Sequence, residues 1–401
     1  MNSARKRRLF CAGKLITPEQ SIANGALLIE NNHILAVGGI TGFRREEEIE
    51  VFDFPDAYIT PGFIDSHIHG AGGFDCSAVE SSVNPFSSMC EILGSRGVTG
   101  FLPTVVADKR EKMLENLAAL AAEMRRPHPG AEPVGINVEG PFLNPEKCGA
   151  QPAEYLMPVD TGFARELLAA GGGLVKLMTF APELENAGPL IELLCENQVV
   201  PSMGHSTANE SAALRAVDAG ARYCSHLFNG MSPLHHRDIG LIGIALTDRR
   251  VSVELIMDGI HIHPKIVDLV CRCKRVKRLI GISDGTMAAG MPNGTYTIGP
   301  ARIVVRDGFS QTEEGVLAGS SALLDTGWHS LMSNGHLTEN DAAQSVTSNP
   351  ARLFGLEDRG ELLPTRRADF AVFETGTNRV LMTVRNGEII HRADRSPEAP
   401  R

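Results

Sequence analysis

The sequence lacks any long apolar run and contains a single tryptophan. No stretch of its 401 residues approaches the roughly 20 consecutive apolar residues that a membrane-spanning helix needs. The basic residues 1–8 are not followed by an apolar segment and a small-residue cleavage site, so we read no secretory signal there. Internal repeats and low-complexity segments are also absent. These absences predict a folded cytoplasmic protein with no membrane partner.

Closely spaced cysteines and excess positive charge are missing as well. The eight cysteines are scattered, and only Cys271 and Cys273 lie close together, inside a helical pattern. Such spacing predicts free thiols in a reducing compartment rather than a disulfide framework. The formal net charge of −10 argues against a nucleic-acid surface, which needs a basic field. A small anionic substrate is compatible with this charge, because one arginine in a pocket can override it locally.

Both ends of the chain alternate short apolar runs with turn residues. Residues 27–38 contain two such runs around an Asn-Asn-His turn. Residues 371–390 contain further short apolar runs, with an Arg-Asn-Gly turn between two of them. This pattern is typical of short β-strands. We predict that residues 1–60 and 360–401 together form one small β-sandwich domain.

The middle of the chain alternates eight β-like runs with helical patterns. The predicted strands are Gly62–His67, Gly100–Val105, Val134–Glu139, Leu174–Phe180, Val199–His205, Tyr223–His226, Val251–Met257 and Leu279–Asp284. Eight alternations predict an α/β fold of the TIM type, a (β/α)8 barrel over residues 61–359. The rival is a doubly wound open sheet, and closure is favoured because it brings the polar strand ends together. Residues 292–318 interrupt the pattern, and we predict a β-hairpin insertion there.

The first predicted strand leads into His67-Ile-His69. Residues two apart on a strand point to the same face, so both imidazoles aim at one point. Imidazole is the commonest neutral ligand for a transition metal. Two neighbouring histidines alone are a weak signal, because such a pair often caps a loop. Carboxylates and histidines at the ends of later apolar runs strengthen the signal.

The carboxyl ends of barrel strands converge on one pocket, which holds the active site. Six ligand-type side chains are predicted there, namely His67, His69, Glu139, His205, His226 and Asp284. Imidazoles with a carboxylate suit Zn²⁺ or Fe²⁺ better than Mg²⁺ or Ca²⁺. Such a metal supports hydrolysis, since it lowers the pKa of a bound water and polarises a carbonyl oxygen. Asp284 is the predicted general base, with metal ligand and helix cap as its alternative roles.

Six segments of the chain resemble the amidohydrolase superfamily, and within it the N-acetylglucosamine-6-phosphate deacetylases. They are PGFIDSHIH at 61–69, EGPFLN at 139–144, GHSTA at 204–208, HLFNGM at 226–231, DGIH at 258–261 and SDG at 283–285. The first and last are shared widely across the superfamily. The segments that begin at Glu139 and His226 are specific to the deacetylase branch. The resemblance covers nearly the whole chain.

This resemblance implies hydrolysis of the acetamide of N-acetylglucosamine 6-phosphate to acetate and glucosamine 6-phosphate. Glu139, His205 and His226 match the ligands of the family's principal metal. The pair His67 and His69 matches residues that hold a second metal in some members, so one or two ions per chain are expected. Many relatives in the superfamily bridge two metals with a carboxylated lysine on the fourth strand. Lys176 lies there, but we favour Glu139 as the bridge and a structural role for Lys176.

The resemblance also implies a set of substrate contacts. Asn229, Gly230 and His261 match positions that face the sugar phosphate or contact substrate. Arg237 matches the phosphate-binding arginine, whose guanidinium fork fits a phosphate bidentately. The family's phosphate site is shared across a homodimer, so Arg237 or His261 can serve the neighbouring subunit. Gln151 replaces a histidine of some members; it keeps a positioning role but cannot carry a proton.

Several alternatives remain open at the level of sequence. An N-acetylgalactosamine-6-phosphate deacetylase fits equally well, since no motif encodes the epimeric hydroxyl at C4. Another amidohydrolase that acts on a different N-acyl or cyclic amide fits less well, because an uncharged substrate needs no phosphate fork. A metal-free barrel acting as a scaffold is disfavoured, because no predicted ligand is missing. The remaining histidines near the motifs, His235, His236 and His263, are interpreted as loop residues.

Overall fold

The computed structural model describes residues 6–44, 47–334 and 337–394. The outermost parts of the predicted small domain, residues 1–5 and 395–401, lie outside the described residues. Within the described part of the chain, no helix is long and apolar enough to cross a membrane.

Eight parallel strands form the predicted barrel. They are Phe63–Ile68, Val98–Val106, Ile136–Glu139, Val175–Phe180, Val200–Met203, Tyr223–Cys224, Ser252–Ile256 and Leu279–Ile282. Successive strands pair in this order, with the short strand Glu132–Pro133 beside the second. The first and last strands meet where the amide of Asp284 donates to the carbonyl oxygen of His67 at 2.9 Å. A parallel bridge joins Ile68 to Gly285 beside it. This closure confirms the barrel and contradicts the open sheet.

A helix follows each barrel strand, and most of these helices bury one apolar face. They are Phe86–Gly94, Arg110–Met124, Thr161–Ala170, Ala187–Glu196, Glu210–Ala219, Gly240–Thr247, Pro264–Cys273 and Leu324–Asn334, followed by Glu339–Val346 and Ser348–Leu353. In the second helix, Met113, Leu117 and Leu120 recur at three- and four-residue spacing and are buried. That spacing places them on one face of a helix, which is why the local pattern predicts these elements well.

Strands from both chain ends form one mixed seven-stranded sheet. Its strands are Arg7–Ile16, Ser21–Glu30, His33–Gly39, Ile49–Pro61, Phe370–Glu374, Val380–Arg385 and Glu388–Arg392. The two ends join where Ile49–Pro61 pairs with Phe370–Glu374, so the strands predicted as a sandwich are hydrogen-bonded continuously. Phe10 stacks on Phe52 and meets the edge of Phe370 in a core cluster separate from that of the barrel. On this ground we propose domain limits of 1–60 with 360–401, and 61–359.

The insertion after the eighth barrel strand carries one strand more than the predicted hairpin. It is a three-stranded antiparallel sheet of Gly294–Ile298, Ala301–Arg306 and Phe309–Gln311. Asp307 and Gly308 both have positive φ and reverse the chain directly after the second strand. The apolar run that ends at Leu317 forms only an isolated bridge with Gln311.

A buried carboxylate fixes this insertion to the barrel. Asp75 follows the first barrel strand, and its Oδ2 accepts from the amide of Gly299 at 2.9 Å and the hydroxyl of Thr297 at 3.1 Å. Burial raises the pKa of Asp75 to about 6, although these hydrogen bonds oppose the shift. The insertion is therefore held over the carboxyl ends of the strands, where the polar side chains converge.

Candidate active site

All six predicted ligand-type side chains meet at the carboxyl end of the barrel. Each is buried. They include two groups that share Glu139: one contains His67 and His69, and the other contains His205 and His226. Within each group the possible ligand atoms lie within 4.8 Å of one another.

Glu139, the last residue of the third strand, stands between the two groups. Its Oε1 lies 3.0 Å from Nε2 of His205 and 2.7 Å from Nε2 of His226. Its Oε2 accepts from Nε2 of Gln151 at 2.8 Å and lies 3.5 Å from Nε2 of His69. Burial opposes ionisation, but the neighbouring imidazoles hold the pKa of the Glu139 carboxyl well below its usual value. An ionised carboxylate in this position can bridge two cations.

Asp284 faces the same centre from the end of the eighth strand. Its Oδ1 lies 3.1 Å from Nε2 of His69 and 3.4 Å from Nε2 of His67. Burial alone would raise the pKa of Asp284, but the neighbouring imidazoles of His69 and His67 hold it below the usual value. The carboxyl group is therefore ionised and able to accept a proton.

Three of the site residues have unusual backbone conformations. His205, His226 and Asp284 have φ of 46°, 25° and 51°, a region that non-glycine residues rarely adopt. Each turns the chain off its strand and aims the side chain at the centre. Gly230 lies against His205. Its own φ is 61°, and a Cβ at this position would lie 2.8 Å from Nδ1 of His205. Backbone strain of this kind is concentrated at functional sites.

The donor set fits a divalent transition metal. Nε2 of His67 and Oδ1 of Asp284 are buried, and neither has a hydrogen-bond partner among the described residues. Buried polar atoms are costly without a partner, so these two atoms indicate that a further group completes the site. Imidazole nitrogens with carboxylate oxygens are the ligands that zinc and iron prefer.

A cavity of about 260 Å³ is lined by five of the six side chains, all but His67. The predicted substrate residues that line it are Gln151, Asn229, Gly230 and His261. His261 is oriented through its Nδ1, which lies 2.7 Å from Oδ2 of Asp258. The remaining wall is apolar and includes Val106, Ile298, Val316 and Leu317. The cavity thus combines polar groups at the centre with an apolar side that suits a small methyl-bearing group.

Comparison with known proteins identifies the family of the chain. A model of the Amidohydrolase family matches residues 58–390. The chain belongs to this family. Amidohydrolases depend on divalent metals, in agreement with the two ligand groups around Glu139.

Among amidohydrolases, the chain is similar to sugar-phosphate deacetylases over almost its full length. It is 33% identical to N-acetylglucosamine-6-phosphate deacetylase of Bacillus subtilis (strain 168), covering 94% of this chain and 95% of the relative. It is 31% identical to N-acetylgalactosamine-6-phosphate deacetylase of Escherichia coli O157:H7, covering 91% and 94%. A mutant deacetylase from Mycobacterium smegmatis, solved with N-acetyl-D-glucosamine-6-phosphate, superposes with a TM-score of 0.89, 30% identity, and coverage of 96% and 99%.

Two basic residues of this amidohydrolase lie away from the centre. Arg237 is exposed, contacts Nε2 of His236 at 2.7 Å, and is not among the described residues that line the cavity. Lys176 is the second residue of the fourth strand, at the end opposite the carboxyl ends that carry the site, and its side chain packs beside Gly135. Of the three interpreted loop histidines, His263 caps the helix that begins at Pro264, with its side chain accepting from the amide of Lys265.

One residue that contacts the centre was not predicted from the sequence. Glu254 lies on the seventh strand, is fully buried, and its Oε2 is 3.0 Å from Nδ1 of His67. The sequence did contain a sign of its role, because a carboxylate inside the largely apolar run 251–257 is costly to bury unless it is paired. Burial lowers the pKa of His67, but the attraction of Glu254 outweighs it and raises this pKa to about 10. A metal ion that binds His67 must therefore displace a proton.

Proposed function

We propose that this amidohydrolase hydrolyses the acetamide of N-acetylglucosamine 6-phosphate to glucosamine 6-phosphate and acetate. The observation that carries the proposal is a single carboxylate, Glu139, shared by two intact histidine groups at the floor of the cavity. The deacetylases to which the chain is similar act on sugar phosphates of this class by name, and the similarity extends over 94% of this chain for the Bacillus relative.

The same proposal assigns the metal ligands. Glu139, His205 and His226 would hold the principal ion, and His67 and His69 together with Glu139 would hold a second one. Zn²⁺ or Fe²⁺ suits this mixture of nitrogen and oxygen donors. A divalent metal supplies a water of lowered pKa and polarises the amide carbonyl.

Asp284 is the proposed proton carrier of the reaction. Its carboxylate is ionised and lies beside His69 at the edge of the cavity. In this position it can accept the proton of the attacking water. The amine is a poor leaving group until it is protonated, so the same carboxyl then delivers the proton to the amide nitrogen. Asp284 thus acts first as base and then as acid.

The sugar phosphate is proposed to contact four residues that line the cavity and one that does not. Gln151, Asn229, Gly230 and His261 lie at the cavity wall. The amide of Gln151 is occupied by Glu139 and the backbone of Ala107, which supports a positioning role. The exposed position of Arg237 supports a role toward the phosphate in the neighbouring subunit of a homodimer.

A cytoplasmic location belongs to the same proposal. Seven cysteines of the described residues are free thiols: Cys76, Cys90 and Cys224 are buried, Cys148 and Cys271 are half-buried, and Cys195 and Cys273 are exposed. Free thiols at these positions fit a reducing compartment.

Acetate release from a panel of acetamido sugars tests the proposed reaction. The panel contains N-acetylglucosamine and N-acetylgalactosamine, each with and without a 6-phosphate, and metal content is measured on the same preparation. We expect turnover of N-acetylglucosamine 6-phosphate and slow or no turnover of the unphosphorylated sugars. Faster turnover of N-acetylgalactosamine 6-phosphate would instead indicate that the protein has the activity for which the Escherichia coli relative is named. Absence of acetate release from all four sugars by metal-loaded protein would refute the proposal.

A further inference from the structure

We propose that Glu254 is a positioning residue that fixes the His67 ring and the His226 backbone, so that both histidine groups face Glu139. This inference rests on the metal centre of the proposed function, but not on the identity of the substrate. Glu254 is absent from the cavity lining among the described residues, so its action is exerted through the residues that it holds.

From one buried position, Glu254 contacts a residue of each histidine group. Its Oε2 lies 3.0 Å from Nδ1 of His67 and accepts from the amide of His226, also at 3.0 Å. Its main-chain oxygen accepts from the amide of Leu227 at 3.0 Å. One residue therefore holds two consecutive amides of the turn in which His226 has positive φ. The same carboxylate connects that turn to a side chain of the first strand.

The hydrogen bonds also determine which nitrogen of His67 faces the centre. The amide of His226 can only donate, so Oε2 of Glu254 is acting as an acceptor. The proton between Glu254 and His67 therefore lies on Nδ1. Once the ring is neutral, its lone pair is on Nε2, the atom that lies 3.7 Å from Oε1 of Glu139. A carboxylate behind a ligating imidazole fixes the tautomer and increases its strength as a ligand.

A buried carboxylate of this kind is more than the barrel interior requires for packing. An ionisable group that is fully out of water destabilises a fold unless it is well bonded. Ile256, two residues further along the same face of the strand, is apolar and buried in the barrel interior. Its bonds to His67 and to the His226 turn give the carboxylate of Glu254 a role that an apolar residue could not take.

Metal affinity of the Glu254→Gln protein tests the inference without any substrate. Glutamine keeps the size of the side chain and removes its charge. We expect the zinc affinity, measured by competition with a chromophoric chelator, to fall by about 10- to 100-fold. Thermal unfolding of the metal-free protein is measured in parallel, with Ser202→Ala as the matched control. Ser202 is buried in the barrel interior and bonds to Ser225, so its loss removes a hydrogen bond but touches no imidazole.

A double-mutant cycle separates positioning from general damage. In a His67→Asn background, Glu254→Gln should change zinc affinity by less than about threefold, because the ring that it orients is already gone and the glutamine oxygen can still accept from the His226 amide. An equal fall in both backgrounds, or unchanged affinity in the wild-type background, would overturn the proposal. If Glu254→Gln does not fold, Glu254→Asp is measured in the same two backgrounds, since it keeps the charge but withdraws it by one methylene. A failure of the deacetylase proposal leaves this result interpretable, because only metal is titrated.

Discussion

Nε2 of His69 lies 3.1 Å from Oδ1 of Asp284, although 215 residues separate them along the chain. The two residues follow the first and the last barrel strand, so this contact exists only because the barrel closes. It places an ionised carboxylate beside two imidazoles and at the edge of the cavity. The chemistry proposed for the site depends on that closure.

Glu139→Gln is expected to reduce metal content more than His67→Asn. Glu139 belongs to both ligand groups, whereas His67 belongs to one, so its loss affects both positions. Elemental analysis of protein supplemented with zinc and iron measures the effect. Equal metal loss in both variants would contradict the shared role of Glu139.

Asp284→Asn is expected to lower turnover by about 10²–10⁴-fold, the usual contribution of a positioned acid–base group. Asparagine keeps the size of the side chain and removes the proton carrier. Metal content and substrate binding should change little. Turnover above a tenth of the wild-type value, with full metal occupancy, would show that Asp284 is not the proton carrier.

Arg237→Lys is expected to weaken binding of the phosphorylated sugar and to leave slow turnover of the unphosphorylated sugar nearly unchanged. Lysine keeps the charge but loses the planar fork that matches a phosphate. An equal loss on both substrates would make Arg237 structural.

The position of Arg237 outside its own cavity leads to a mixing experiment. Inactive Arg237→Ala and Asp284→Asn proteins, combined under conditions of proven subunit exchange, should recover part of the activity. Each mixed dimer then contains one site with both residues intact. No recovery would show that Arg237 acts within its own chain.

Gly230→Ala is expected to lower metal content and activity together. The added Cβ would lie 2.8 Å from Nδ1 of His205, and φ at this position is 61°. Gly173→Ala is the matched control, because φ there is 80° with no atom within 4 Å. Both variants have a similar backbone penalty of about 1 kcal/mol. Only Gly230→Ala should lose metal in elemental analysis, and equal losses would exclude a steric effect on His205.

Lys274 is expected to make stability depend on pH at the alkaline end. Burial lowers its pKa to about 8, from 10.5 for an ordinary lysine, while its Nζ donates to the carbonyl oxygens of Ala245 and Asp248. Between these two values the unfolded chain binds more protons, so the free energy of unfolding rises with pH. The rise should reach about 3 kcal/mol relative to Lys274→Met, measured by denaturant unfolding from pH 8 to 10.5. A constant difference between the two proteins across this range would refute the shifted pKa.

The sequence by itself determined the barrel and most of the centre. The eight strands and their helices are local patterns of apolar residues, and the residue types at the strand ends identify a metal site before any strand is paired. The six ligand-type residues were all predicted in this way, because each stands at or just beyond the end of a predicted strand: His67, His69, Glu139, His205, His226 and Asp284.

Only the tertiary structure decided which of these atoms touch and what holds them. Glu254 bonds to a ring 187 residues away, and nothing in its own strand indicates that partner. Arg237 has the right chemistry for a phosphate, yet its loop places it outside the cavity of its own chain. The insertion gained a third strand because a tight turn at Asp307 reverses the chain earlier than the apolar runs suggest. Periodicity and residue type are properties of neighbouring residues, whereas contacts within about 3 Å across a barrel depend on how distant strands pack.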